Sequence, residues 1–172
     1  MERVWFVGAA IALALSWSAS AAQPFGIANE SQPEKGLLAS GQPTQAQLQE
    51  VAKAGYKTVI DLRTPAEDRG FDEPAAVREA GMSYVSIPVT PVLDAATLDQ
   101  FIVTMKKAER PIYLHCATSN RVGALYYAWL VVEKGMTKEE ALEKAKATGL
   151  RSPELTEKVK ALVDERQAKP GS

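Results

Sequence analysis

The run Pro111-Ile112-Tyr113-Leu114-His115-Cys116-Ala117-Thr118-Ser119-Asn120-Arg121-Val122-Gly123 constrains this chain more than any other part of its 172 residues. An apolar segment of β character ends at the one cysteine of the protein. A short polar loop then reaches Arg121, and the apolar stretch from Val122 to Lys134 begins at once. Strand, cysteine, tight loop, arginine and helix N-terminus, in that order, build an anion cradle around a thiolate. The loop N–H groups and the positive end of the helix converge on one place. The same field favours Cys-S⁻ over Cys-SH, and an arginine fork grips a tetrahedral oxyanion through two hydrogen bonds. The run reads as a nucleophile beside a phosphate-sized hole.

The elements around it alternate. Leu37 to Ala39 reads as a short strand, and Thr44 with Gln47 makes a capping box for a helix that buries Leu48, Val51 and Ala52 and stops at Gly55. Thr58 to Leu62 is an apolar, β-branched run of the kind buried inside a sheet. Thr64-Pro65-Ala66-Glu67 can cap a further turn, and Pro74 to Ala80 reads as helix. Ser83 to Val89 alternates as a strand does. Asp94 then precedes a helix with Leu98, Phe101, Ile102 and Met105 on one face. Ile112 to His115 delivers Cys116, and Val122 to Lys134 is too apolar all round to lie on the surface. Thr137 with Glu140, and Ser152 with Pro153, open two more helices; the last carries Leu155, Val159, Leu162 and Val163. Strands alternating with helices predict an α/β fold: a single domain with a parallel-rich central sheet and helices on both faces.

Residues 1–22 read as a secretory signal peptide. Val4 to Trp17 is almost wholly apolar, and small residues at Ala19 to Ala22 offer a cleavage site. An uncleaved N-terminal anchor is the competing reading. No later segment approaches the roughly 20 apolar residues of a spanning helix, so no membrane span is expected after cleavage. Residues 23–35 read as a flexible leader, 36–167 as the domain and 168–172 as a disordered tail. Twenty basic and 21 acidic residues leave a formal net charge of −1, with no basic field to suggest nucleic acid. One histidine and one cysteine cannot supply a structural zinc site. With no G-x-G-x-x-G or G-x-x-x-x-G-K run either, no metal and no cofactor are expected.

The Pro111 to Gly123 run resembles the signature of the cysteine-dependent protein tyrosine and dual-specificity phosphatases, with His-Cys at its head and Arg at its tail. It is most similar to a bacterial branch with four residues between Cys and Arg, the beta-lactamase-hydrolase-like type. The likeness extends over Gly36 to Arg166, through Gly36-Leu37-Leu38-Ala39-Ser40-Gly41-Gln42-Pro43-Thr44, Thr58-Val59-Ile60-Asp61-Leu62-Arg63 and Tyr84-Val85-Ser86-Ile87-Pro88-Val89. It implies a dual-specificity-phosphatase-like fold and a phosphoric monoester hydrolase. In that family's mechanism Cys116 attacks phosphorus. The N–H groups of Ala117, Thr118, Ser119, Asn120 and Arg121, with the Arg121 guanidinium, hold the equatorial oxygens. Relatives carry their general acid in the loop after the strand ending here at Val89, which implies Asp94; Asp94 is equally a natural N-cap. Asp61, Asp68 and Asp72 are the alternatives, Asp61 being expected to hold its own loop. His115 is implied to steady the loop from the opposite face of its strand. Arg63 either lines the site or pairs with Glu67. The position after the arginine, Ser or Thr in many relatives, is Val122, and Thr118 and Ser119 are the hydroxyls that could replace it. The implied partner is a phosphorylated protein or a small phosphomonoester, met in the periplasm.

Two other functions compete. Rhodanese-type sulfur transfer also places a cysteine in a short cradle after a parallel strand, and Ile60 to Glu67 has some of that look. The run after Gly135, two capped helices and no further strand, argues against it. A weakly active phosphate-binding pseudophosphatase is the third reading.

Overall fold

In the computed structural model, which describes residues 24–168, the strands are β1 (Ser31–Glu34), β2 (Leu37–Ser40), β3 (Thr58–Asp61), β4 (Ser83–Ser86) and β5 (Ile112–His115). They form one sheet in the order β1-β2-β5-β3-β4. All pairings are parallel except that of β1 with β2. The helices are α1 (Gln45–Lys53), α2 (Glu73–Glu79), α3 (Ala95–Lys107), α4 (Asn120–Val132), α5 (Lys138–Thr148) and α6 (Pro153–Ala168). The signal-peptide segment and residues 169–172 lie outside the described residues. No described helix is long and apolar enough to cross a membrane.

Strand periodicity sorts the core into two layers. Leu38, Val59 and Tyr113 face α1 and α2, packing with Leu48, Val51 and Val77. Leu37, Ala39, Ile60, Leu62, Ile112, Leu114 and Cys116 face the other way, onto the four helices α3 to α6. This is the expected parallel-rich sheet covered on both faces. α4 is the buried central helix: every residue from Val122 to Val131 is buried. The capping box at Thr44 and Gln47 forms, as do the caps at Thr137 and Ser152.

The supposed leader is a correction to the sequence reading. Part of residues 23–35 is structured: β1 extends the sheet, Ile27 is buried in the core, and the Glu30 carboxylate accepts the N–H groups of Phe25 and Ile27. Polar composition hid this, because an antiparallel edge strand buries little and needs only backbone partners. Thr64 to Glu67 forms a turn and not a helical one, with the Thr64 N–H donating to Glu67 Oε1 at 2.8 Å.

Candidate active site

The parallel strands β2, β5 and β3 end together, and their C-terminal ends carry Gly41, Cys116 and Leu62 toward the N-terminus of α4. Crevices outside the carboxyl ends of strands are where open α/β sheets bind ligands. Cys116 is buried against this junction.

The loop after Cys116 is propped from outside at three successive carbonyls. Ala117 O accepts the Gln42 N–H at 3.1 Å, Ser119 O accepts the Gly123 N–H at 2.9 Å, and Thr118 O accepts the Arg151 guanidinium. A trans peptide points its C=O and the next N–H in opposite directions. The bonds to Ala117 O and Ser119 O therefore turn the N–H groups of Thr118 and Asn120 away from those partners. Thr118 also pairs with Gly41 as an isolated antiparallel bridge, which ties the loop to the end of β2. The outer wall comes so close that a Cβ on Gly41 would lie 2.9 Å from Ala117 O.

Ser119 takes φ +65°, the left-handed region, which costs a non-glycine residue about 1–2 kcal/mol. Its hydroxyl donates to Thr148 O at 2.8 Å. That bond uses the one buried hydroxyl the sequence offered in place of Val122. Thr118, the other candidate, is exposed. Asn120 Oδ1 accepts the N–H groups of Arg151 at 2.8 Å and Ser152 at 3.1 Å.

Arg121 closes the cradle. Glu67 grips it end-on, Oε1 to Nη1 and Oε2 to Nη2, both at 2.7 Å. Nη1 also donates to Leu62 O at 3.3 Å and Val89 O at 3.2 Å, tying the loops after β3 and β4 to the site. The hydrogen bonds from Arg121 hold the Glu67 carboxyl down at about 2, against a smaller upward push from burial. Glu67 is therefore a permanent anion at working pH. Its grip takes the end of the fork, and the guanidinium also lies within hydrogen-bonding reach of the Cys116 sulfur. The sequence reading that paired Arg63 with Glu67 is thus overturned. Glu67 serves Arg121, and its 54-residue separation from that partner gave no local signal.

Arg63 is fully buried. Its Nε donates to Asp61 Oδ1 at 2.9 Å, and its Nη2 reaches both Asp61 and Glu73. Asp61 also accepts the Arg63 N–H at 2.9 Å, Arg69 Nε at 3.1 Å and the Tyr84 hydroxyl at 2.8 Å. Burial alone would raise the Asp61 carboxyl; the hydrogen bonds from Arg63 and the neighbouring positive groups overcome this and hold it far below the usual range. Asp61 does hold its own loop, and so many donors leave it no part as a proton donor. His115 Nε2 lies 2.7 Å from Glu73 Oε1, and its ring stacks on Tyr113 with centroids 4.9 Å apart. His115 thus backs the loop from the α1–α2 face, opposite Cys116, as strand alternation implied. Asp61, Glu73 and His115 converge closely enough for a metal, but the Arg63 guanidinium already occupies both carboxylates.

Arg121 and Asn120 border an open groove of about 650 Å³. Val89, Pro91, Val92 and Leu155 give it apolar walls, and Glu154, Glu157 and Lys158 stand along its α6 side. Asp94 is not among its lining residues. Its carboxylate accepts the Thr97 N–H at 2.8 Å as the N-cap of α3, and that bond holds its titration below the usual value. Asp68 accepts the Gly70 N–H and Asp72 caps α2. The structure brings Cys116, the loop amides and Arg121 together; it leaves Asp94 two residues beyond the groove wall.

This fold and this cradle are those of the cysteine-dependent phosphatase class. The model of the family described as DSP-PTPase phosphatase fused to NAD+ kinase matches residues 17–163, and the chain belongs to that family of tyrosine/dual-specificity-type phosphoric monoester hydrolases. Beta-lactamase hydrolase-like proteins of Agrobacterium fabrum and Xylella fastidiosa are 34% and 31% identical over 95 and 109 residues, which is 52% and 60% of this chain. Those stretches are only 22% and 25% of the relatives' own lengths. A DUF442 protein of Shewanella putrefaciens, assigned to the phosphatases, superposes with a TM-score of 0.67 at 26% identity, covering 86% of this chain and 96% of its own. P. aeruginosa TpbA, in complex with phosphotyrosine, shares the fold: TM-score 0.61, 20% identity, 80% of this chain and 88% of its own. Sulfur transfer is not favoured by these likenesses.

Proposed function

We propose that Cys116 is the nucleophile of a two-step phosphomonoester hydrolysis. The thiolate sulfur forms a bond to phosphorus as the ester P–O bond breaks and the leaving oxygen takes a proton. Water then attacks the thiophosphate, releasing inorganic phosphate and the thiolate. The N–H groups of the loop and the Arg121 guanidinium meet the equatorial oxygens as charge spreads over them. The observation that carries this reading is a buried cysteine at the end of β5, wrapped by a loop that runs straight into the N-terminus of α4 and closed by an arginine that Glu67 holds end-on. Asp94 is kept as the candidate acid because it ends the loop whose Val89 to Val92 walls the groove. To serve, it must leave the Thr97 N–H and carry a proton.

The apolar groove walls beside Arg121 support an aryl phosphate, such as phosphotyrosine in a protein or a small aromatic monoester, over a bare alkyl phosphate. The apolar run from Val4 to Trp17 and the small residues after it support export to the periplasm. The deciding experiment is phosphate release from an aryl phosphate and from phosphotyrosine and phosphoserine peptides, with Cys116→Ser alongside. Release by the wild type and none by Cys116→Ser is expected. Equal release by both would remove Cys116 from the chemistry, and a persulfide on Cys116 formed from thiosulfate, with no phosphate release, would move the chain to sulfur transfer.

A further inference from the structure

We propose that Arg151, thirty residues beyond the cradle, is a positioning residue for the reaction: it sets the orientation of the Thr118–Ser119 peptide and so the shape of the loop that receives the transferring phosphoryl group. The proposal rests on the reading of the Cys116 loop as an anion cradle.

Three successive loop residues are each tied to the turn between α5 and α6. Thr118 O accepts Arg151 Nη2, Ser119 Oγ donates to Thr148 O, and Asn120 Oδ1 accepts the Arg151 and Ser152 N–H groups. Arg151 Nη1 also donates to Gly149 O at 3.2 Å, so the guanidinium spans from the turn to the loop. The turn can come this close because position 149 is glycine at φ +128°; a Cβ there would lie 2.7 Å from the Ser119 Cβ. The other two outward carbonyls of the loop are held by backbone N–H groups. Only the Thr118 carbonyl depends on a side chain, and its peptide leads into a serine in a left-handed conformation that a free chain avoids. Without the guanidinium, that peptide can rotate and the loop loses the shape that the turn gives it. Arg151 itself is exposed, so its loss falls on the loop and not on folding.

The test compares Arg151→Met, which keeps most of the side-chain stem and loses every donor, with Arg151→Lys, which keeps the charge and one donor group. The shape of the loop matters most where charge develops, so Arg151→Met should lower kcat by at least about tenfold, approaching the ~10²–10³ that loss of one oxyanion-hole donor costs. KM for an aryl phosphate should change little. Inhibition by vanadate, which takes the geometry of the transition state, should weaken in step with kcat, while the urea midpoint stays near wild type. Arg151→Lys should lie between the two. The Met defect should persist at 1 M salt, where the Debye length is about 3 Å and a remote charge is screened. A Met variant with wild-type kcat and vanadate inhibition overturns the positioning role, as does a defect that high salt erases. Wild-type protein that neither releases phosphate nor responds to vanadate overturns the cradle itself, and this proposal with it.

Discussion

Glu67 holds Arg121 by two parallel hydrogen bonds of 2.7 Å, gripping the end of the guanidinium while the same group lies beside Cys116. Planar bidentate geometry of this kind fixes direction as well as distance. An arginine that must meet a phosphoryl group in one orientation is thus pre-set before substrate arrives, and little ordering is left for the reaction step.

Glu67→Gln should therefore lower kcat/KM while leaving Cys116 reactive, because the amide substitutes one acceptor for two and cannot hold both Nη groups. About a tenfold loss or more, 1.4 kcal/mol of transition-state stabilisation, is the expected scale. The sign with pH follows from the depressed carboxyl. The Glu67 contribution is present in full above its ordinary range near 4.5 and is lost only as pH falls toward about 2. Wild-type and Glu67→Gln pH–rate profiles should then run parallel from pH 5 to 8. A difference in shape within that window would mean that Glu67 titrates there and is not held by Arg121.

Asp94→Asn separates proton donation from capping. Asparagine caps a helix about as well as aspartate, so the melting midpoint should hold. If Asp94 protonates the leaving oxygen, hydrolysis of a phosphopeptide should fall by about 10²–10⁴-fold, while an activated aryl phosphate, which departs without a proton, changes little. Equal small effects on both substrates would leave Asp94 as the cap of α3 alone.

Arg63→Met should be among the most destabilising single changes in the protein. It leaves the fully buried carboxylates of Asp61 and Glu73 short of their shared cation, and breaking a buried ion pair from one side costs about 3–5 kcal/mol. Urea unfolding measures this, and adding Glu73→Gln should recover part of the loss. The same cluster sets the acid limit. The Asp61 carboxyl titrates below its ordinary value in the fold. Its contribution is therefore complete above the unfolded-state value near 3.9 and is lost as pH falls below that. Stability that stays flat down to pH 2 would contradict the network.

Export predicts cleavage after Ala21 or Ala22. Mass spectrometry of the protein recovered from a periplasmic fraction should find a chain beginning at Ala22 or Gln23. Protein retained on the membrane with Met1 to Ala22 intact would reject it.

The elements of this fold were legible in the sequence wherever a local rule governs them. The capping box at Thr44 and the cap at Thr137 depend on side chains three residues apart. The face Leu98-Phe101-Ile102-Met105 of α3 follows from helical period, and the assignment of His115 and Cys116 to opposite faces follows from the pleat of β5. The cysteine, the loop and the arginine were legible for the same reason, since strand, turn and helix N-terminus are contiguous.

What tertiary structure decided is every pairing across distance. Composition could not tell which of Asp61, Arg63, Glu67 and Glu73 would pair, because acids and bases alternate through that stretch and any local match looks equally good. Burial chose between them. Strand β3 carries Asp61 inside the sheet and α2 brings Glu73 down on it, so Arg63 is drawn in with them, and Glu67, left at the groove, is free for Arg121. The edge strand β1 was hidden because it is held by backbone hydrogen bonds, which have no side-chain signature. Arg151 was hidden because its role is to accept the geometry of a turn thirty residues from the loop it holds. The sequence by itself determined a nucleophile and an arginine in an anion-binding turn; only the packing of α2, β4 and the α5–α6 turn around that loop decided which groups aim it.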